Sequence, residues 1–156
     1  MFKYLLVFLV SMVPLVELRA AVPIAVSMDL PYIPSLIVCV VGNMLPVPFI
    51  YLFARRFLVW GAKQKRIGKV CSFFLVKGEQ AGQRLMEKAG RGGLMIALML
   101  FVGIPLPGTG AWTGALGASF LKMGVRETAV SVCLGVILAG CIMAAVTTAG
   151  LHIFGL

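Results

Sequence analysis

The sequence predicts an all-α integral membrane protein with two re-entrant helical hairpins and two clean transmembrane helices in an inverted repeat. Amphipathic cytoplasmic helices are expected between the two halves. Hydrophobic residues make up 61% of the chain and charged residues 12%, whereas about a quarter of the residues of a soluble domain are charged. Three runs, 30–54, 92–121 and 128–156, contain no Asp, Glu, Lys or Arg, and each exceeds the roughly 20 residues that span a bilayer. We therefore predict a single membrane domain over 1–156.

The first repeat is predicted over residues 1–57. Its broken segment, 4–28, is apolar but is interrupted by the stretch Glu17–Pro23. The helix predicted over 35–57 is about 34 Å long at 1.5 Å per residue, enough to cross the hydrocarbon core. Its two prolines, Pro46 and Pro48, should kink it, because proline removes a helical hydrogen bond.

A basic linker is predicted over 58–91. Ten basic residues lie between Arg55 and Arg91, against only Glu79 and Glu87. The positive-inside rule places residues 55–91 in the cytoplasm, with anionic lipid headgroups as their partner and no nucleic acid. Apolar residues recur here at near-helical spacing, which predicts amphipathic helices broken near Gly78. A solvated loop is the alternative.

The second repeat is predicted over 92–156, with a broken segment 93–121 and a helix 128–151. The interruption Gly103–Gly110 is rich in proline and glycine and cannot continue a helix. A full crossing would leave Lys122 and Arg126 outside, against the positive-inside rule, so this segment should turn back. For segment 4–28 a full crossing also fits the charges, and both topologies stay open.

The prolines predict where the hairpins break, and the small residues predict a helix interface. The predicted structural breaks of the hairpins are Pro23, Pro105 and Pro107. In the last helix, Gly135/Ala139 and Gly140/Ala144 have the small-xxx-small spacing of close helix packing. We expect a homodimer that uses this face.

The most informative charges are Glu17 and Arg19, at the interruption of the first broken segment. A charge inside a membrane costs about 2.5 kcal/mol or more, so such groups usually pair or serve a transport pathway. Arg19 beside exposed helix-end amides would bind an anion such as phosphate. Since desolvation disfavours a carboxylate, Glu17 is a candidate proton carrier. A structural ion pair is the alternative.

The Gly-Pro stretch of the second hairpin is the other candidate. Its accessible backbone amides and the side chains that follow predict the tip of a substrate cavity, formed by Gly108, Thr109, Gly110 and Trp112. A packing device that lets the hairpin turn is the simpler interpretation. Arg126 is a candidate second anion contact or gate, or only a first-turn residue of the last helix.

Catalytic and metal chemistry find no support in the residue inventory. The four cysteines form no CxxC pair, and the single histidine is His152, close to the C-terminus. No nucleophile–base set and no metal-ligand cluster is visible. We therefore expect no catalytic residues, no metal and no cofactor, and not an enzyme.

At the hairpins the sequence resembles the small multidrug export protein family. The resemblance rests on two motifs, Glu17-Leu-Arg19-Ala-Ala-Val-Pro23-Ile-Ala and Gly103-Ile-Pro105-Leu-Pro107-Gly108-Thr-Gly110-Ala-Trp112-Thr-Gly114. That family in turn resembles the DedA superfamily, which includes VTT-domain lipid scramblases. The resemblance implies paired re-entrant hairpins and transport of lipids, including polyprenyl phosphate carriers. It assigns the functional acidic and arginine positions to Glu17, Arg19 and Arg126.

Three functions follow as hypotheses. The first is a transporter or flippase of an amphiphilic anion, such as a lipid-linked phosphate, with Arg19 on the phosphate and Glu17 coupling protons. The second is proton-coupled export of small cationic drugs, with Glu17 as the binding residue. The third is a membrane scaffold that transports nothing.

Overall fold

A computed structural model describes residues 2–14, 16–64, 68–106 and 109–154, and within these ranges the chain is all-helical. The helices are α1 (Phe2–Met12), α2 (Glu17–Ser27), α3 (Tyr32–Met44), α4 (Val47–Ala62), α5 (Gly68–Gly103), α6 (Ala111–Phe120) and α7 (Val125–Phe154). Helix α5 consists of two parts, because Gly90 takes a left-handed conformation with φ 64° and ψ −175°. We call them α5a (68–89) and α5b (91–103).

Two helical stretches in the described ranges are long and apolar enough to cross a membrane, judged by length and composition: Tyr32–Ala62 and Val125–Gly150. The first combines α3 and α4, which are separated at Leu45–Pro46, where the sequence predicts a kink. Leu45 keeps helical angles of φ −59° and ψ −44°. The interruption therefore removes hydrogen bonds without turning the chain back.

The short helices pair into two hairpins. In hairpin 1 (residues 2–27), the Lys3 ammonium donates to the Met28 carbonyl at 3.0 Å, so the start of α1 lies beside the end of α2. Hairpin 2 (residues 91–120) joins α5b to α6 through residues 104–110. The helices α1 and α2 have 11 residues each, about 16 Å, roughly half of the hydrocarbon core.

The predicted break of the first segment is wrong in position. Glu17–Pro23 belongs to α2, and hairpin 1 turns between Met12 and Glu17, before this stretch begins. Pro23 lies inside α2 and is not a structural break, since one proline costs a helix only one hydrogen bond and some packing. Pro105 lies in the turn of hairpin 2, as expected. Pro107 and Gly108 lie outside the described residues.

Both hairpins end in the same way. Asp29 and Lys122, just after α2 and α6, have φ of 55° and 56°. Behind them, the N–H of Leu30 donates to Ala25 and that of Met123 to Ala118, each at 3.1 Å. This is the Schellman arrangement that closes a helix and turns the chain into the next one. The chain then enters α3 after hairpin 1 and α7 after hairpin 2, at the same sequence separation.

Each hairpin lies beside a different part of the α3–α4 stretch. Gly42 in α3 lies against Phe8 and Ser11 of α1. The hydroxyl of Tyr51 in α4 donates to the Met123 carbonyl, and the Ser119 hydroxyl donates to the Tyr51 carbonyl at 3.2 Å. Hairpin 1 therefore flanks α3, whereas the open end of hairpin 2 is anchored on α4.

The linker helix α5a packs on that same open end. Lys122 forms an ion pair with Glu79 at 2.5 Å. Gly78 and Gly82 face Phe120 and Leu121 so closely that added Cβ atoms would clash. The expected helix break near Gly78 is therefore wrong: the break is at Gly90, and the other two glycines serve close approach.

We expect Gly82→Ala to destabilise the protein by about 1–3 kcal/mol, the usual cost of overpacking. The new Cβ would lie 2.5 Å from the Leu121 carbonyl oxygen, so α5a would move away from hairpin 2. The measurement is the free energy of unfolding in a denaturing-detergent titration. Gly92→Ala is the control, because its Cβ would meet nothing within 4 Å; equal stability of the two variants would contradict the packing role.

The small-residue face of α7 is used inside the chain. Gly135 lies against Met99 and Val102 of α5b, and Gly140 lies against Leu36 and Leu18. Ala139 and Ala144 are also buried. The face to which the homodimer was assigned is therefore occupied within the chain, and the homodimer itself stays a prediction. The contact with Leu36 places the start of α3 beside the second half of α7, whereas Tyr51 of α4 reaches Met123, just before α7 begins, so the two long stretches run in opposite directions.

Candidate site at the hairpin tips

The turns of the two hairpins meet at Glu17. This residue begins α2, and its carboxylate accepts the backbone N–H of Ala111 at 3.3 Å and that of Trp112 at 3.1 Å. These N–H groups belong to the first turn of α6, where helices leave their amides without internal partners and favour negative charge. Glu17 therefore caps a helix of the other hairpin.

Backbone geometry makes room for this contact on both sides. Glu17 is 5% exposed and has φ 50°, a left-handed conformation that non-glycine residues rarely adopt and that costs of order 1–3 kcal/mol. Opposite it, Gly110 has φ 148° and ψ −174°. A Cβ at Gly110 would overlap the Glu17 carboxylate. The tip contact thus depends on a strained residue facing a glycine.

Arg19 holds the turn of hairpin 2 from the other side. Its guanidinium donates to the Leu106 carbonyl and to the Thr109 hydroxyl at 2.5 Å. The Thr109 hydroxyl itself donates to this turn, with the Ile104 carbonyl at 2.9 Å. Arg19 is half-buried. Among the described residues Glu17 and Arg19 make no close ion pair; in place of the structural ion pair that was the alternative interpretation, both groups contact hairpin 2.

A third polar side chain reaches the tips from α3. Asn43 is 2% exposed, and its side-chain amide interacts with the Glu17 carboxylate. Its Oδ1 has no hydrogen-bond partner within the described part of the chain, nor has the indole N–H of Trp112. Asn43 is not among the site residues that the sequence predicts. The available signal was a lone carboxamide in an otherwise uncharged apolar stretch.

The predicted site residues therefore divide into two groups. Thr109, Gly110 and the backbone of Trp112 lie at the tips with Glu17 and Arg19. Arg126 is exposed and lies beyond the opposite end of α6, a helix about 15 Å long. It is not part of the tip cluster, and its role in substrate contact stays a prediction.

An apolar cavity runs along hairpin 2 from the tip region. It has a volume of about 230 Å³ and lies between α5b and α6. Its walls include Leu94, Leu98, Phe101, Thr113, Gly114 and Leu121. Thr113 is one turn from Gly110 and donates to its carbonyl at 3.3 Å. The polar tips thus adjoin a surface suited to an alkyl chain.

Comparison with protein families places these residues in a known context. Residues 17–142 match the model of the family described as "Putative small multi-drug export protein". The chain belongs to this family. The small multi-drug export match begins at Glu17, just after the turn of hairpin 1, and includes the turn of hairpin 2; its name indicates a transporter rather than an enzyme. Together with the two apolar stretches, it is consistent with a membrane protein.

Two further searches add no relative. Neither the curated proteins nor the solved structures yielded a match to this chain.

Proposed function

We propose that this protein is a multi-pass transporter of the cell membrane that moves an amphiphilic anion, such as a lipid-linked phosphate, between its hairpin tips. The observation that carries this proposal is the difference in exposure between the two charges. Glu17 is buried and held by two N–H groups, whereas Arg19 is only partly buried. The charge within reach of a substrate is therefore positive. The adjoining apolar cavity suits a hydrocarbon tail.

Re-entrant hairpins are part of the proposal. Both ends of hairpin 2 lie at the linker: α5b follows α5a directly, and Lys122 pairs with Glu79. Both ends of hairpin 1 lie together through Lys3 and Met28, near the start of α3. These contacts favour hairpins over full crossings for 4–28 and 93–121.

An inverted repeat is also proposed. It is supported by the opposite directions of the two long stretches and by the matching ends of the hairpins at Asp29 and Lys122. Hairpin 1 would then enter from outside and hairpin 2 from the cytoplasm, so that the tips meet near mid-membrane. Irregular backbone is tolerated there only when it is buried in protein or lines a cavity.

The surroundings follow from the same proposal. Residues 55–91 lie on the cytoplasmic face with anionic headgroups beside the basic linker. Exposed side chains such as Phe49, Phe53 and Ile37 face lipid. The proposal also includes a relation to the DedA superfamily, which rests on the motif resemblance. It further includes a homodimer whose contact face is not assigned.

A mechanism follows from competition at the first turn of α6. A phosphate would need the same N–H groups of Ala111 and Trp112 that Glu17 now occupies. Two anions cannot share these donors in a dry site. Glu17 must therefore take a proton before the phosphate replaces it, and Arg19 then supplies the positive charge. Anion binding and proton uptake are coupled in this scheme.

Export of small cationic drugs is the second candidate, and the family name favours it. In that case the Glu17 carboxylate would have to leave the amides of α6 to meet the cation. The two functions differ in the role of Arg19: an anionic substrate would need its positive charge, whereas a cation would not.

The test uses Arg19→Ala in proteoliposomes with fluorescent phospholipid or polyprenyl phosphate as the probe. We expect translocation to slow about tenfold or more, since a hydrogen bond to a charged group contributes about 1.5–3 kcal/mol. Arg19→Lys should recover only part of the rate, because lysine lacks the planar fork of donors. Arg55→Ala, an exposed arginine of α4, is the control. Unchanged translocation in Arg19→Ala would refute the anion site.

A further inference from the structure

The amide of Asn43 is a buried polar group with an unused acceptor. Asn43 lies one residue before the end of α3 and is 2% exposed. Its side chain interacts with the Glu17 carboxylate, yet its Oδ1 has no partner among the described residues. A buried acceptor without a hydrogen bond costs about 1–3 kcal/mol, so its presence calls for an explanation.

The two protonation states of Glu17 supply that explanation. An ionised carboxylate only accepts hydrogen bonds, and the N–H groups of Ala111 and Trp112 satisfy it. A protonated carboxyl group has an O–H that needs an acceptor. Backbone N–H groups cannot provide one, and neither can Arg19, the charged group that faces Glu17 from its own helix. The free Oδ1 of Asn43 can.

We propose that Asn43 positions the proton of Glu17 by serving both of its states. Its Nδ2 donates to the carboxylate, and its Oδ1 accepts the O–H once a proton from water has bound to Glu17. The carboxyl group then turns toward α3, and the amides of Ala111 and Trp112 become free for the substrate anion. This inference rests on the proposed function, because it assumes that Glu17 exchanges protons.

Trp112 provides a nearby fluorescent reporter, because its backbone N–H donates to Glu17. The chain has two tryptophans, so Trp60→Phe leaves Trp112 alone in the full-length protein. In proteoliposomes of this parent we expect its fluorescence to titrate with pH, and Glu17→Gln to abolish the titration. Asn43→Leu should lower the midpoint by about one pH unit, the equivalent of one hydrogen bond. The acid form loses the sole acceptor of its O–H, whereas the carboxylate loses the Nδ2 donor but keeps two backbone donors, so the loss falls more heavily on the acid form.

Two variants serve as controls. Asn43→Thr retains a hydroxyl that both donates and accepts, so its midpoint should stay near that of the parent. Thr128→Val removes another buried hydroxyl without a partner in the described chain, and it should leave the midpoint unchanged.

Several outcomes overturn the proposal. A midpoint that is unchanged or raised in Asn43→Leu would mean that the Oδ1 of Asn43 does not favour the acid form of Glu17. If Asn43→Leu does not fold, Asn43→Asp replaces it: two neighbouring carboxyl groups share a proton, which raises the midpoint, and no rise contradicts the contact. If the Trp112 fluorescence still titrates with pH in Glu17→Gln, Glu17 is not the group that binds the proton. None of these measurements needs a substrate, so their failure is distinct from failure of the Arg19 transport test.

Discussion

Glu17→Gln is expected to slow net transport about a hundredfold and to remove its dependence on pH. Glutamine keeps the shape of the side chain and can still accept one N–H of α6, but it cannot release a proton. The variant imitates the protonated state permanently, so substrate can enter the tips while the return step fails. A hundredfold effect corresponds to about 2.7 kcal/mol, within the range for losing hydrogen bonds to a charged group.

The measurement compares net movement with exchange of labelled substrate across proteoliposomes at several pH values. Exchange should survive in Glu17→Gln, because it needs no proton release, whereas net movement should be lost. Glu87→Gln is the matched control, since Glu87 is exposed on α5a. If net movement keeps its rate and pH dependence in Glu17→Gln, proton coupling through Glu17 is contradicted. The protein would then be a scaffold, or a different residue would carry the proton.

Gly110→Ala should be the most damaging glycine replacement in the chain. The backbone of Gly110, with φ 148° and ψ −174°, lies in a region that is essentially restricted to glycine, at a cost of about 1–3 kcal/mol for other residues. The new Cβ would also overlap the Glu17 carboxylate. We expect a loss of about 3 kcal/mol or more in the free energy of unfolding, together with loss of transport.

The matched control lies in the same helix. Gly117 is in the interior of α6, and a Cβ there would meet nothing within 4 Å. Gly117→Ala should leave stability unchanged or raise it by up to about 1 kcal/mol, because alanine favours helix over glycine. Denaturing-detergent titrations of both variants decide the matter. Equal stability of Gly110→Ala and Gly117→Ala would show that the tip contact does not depend on this glycine.

Local patterns predict the parts of the fold that depend on neighbouring residues. Long uncharged runs indicate the two apolar stretches, and the interruption at Gly103–Gly110 ends α5b and precedes α6 as expected. Proline and glycine act within a turn of the chain, so their effect can be predicted without a partner. The same local reasoning misplaces the turn of hairpin 1 in Glu17–Pro23, because charged residues within an apolar run can also stand inside a helix.

Contacts between distant segments escaped the sequence for a physical reason. Glu17 stands at the start of a helix, but its partners are amides of Ala111 and Trp112, far along the chain. Backbone donors carry no residue type that could indicate them. Likewise the pairs Gly135/Ala139 and Gly140/Ala144 have the spacing of a helix interface, yet spacing does not say whether the partner is another copy or, as here, the same chain.

By itself, the sequence determined that the segments are helical, that they are apolar enough for a membrane, and that Glu17 and Arg19 are exceptional in that setting. Only the tertiary structure decided how these charges are used. It separates them, gives Glu17 to the first turn of α6 and Arg19 to the turn that precedes it, and adds Asn43 from α3. The reason is that a buried charge is stabilised by whichever donors packing brings to it, and packing acts between segments that the sequence keeps apart.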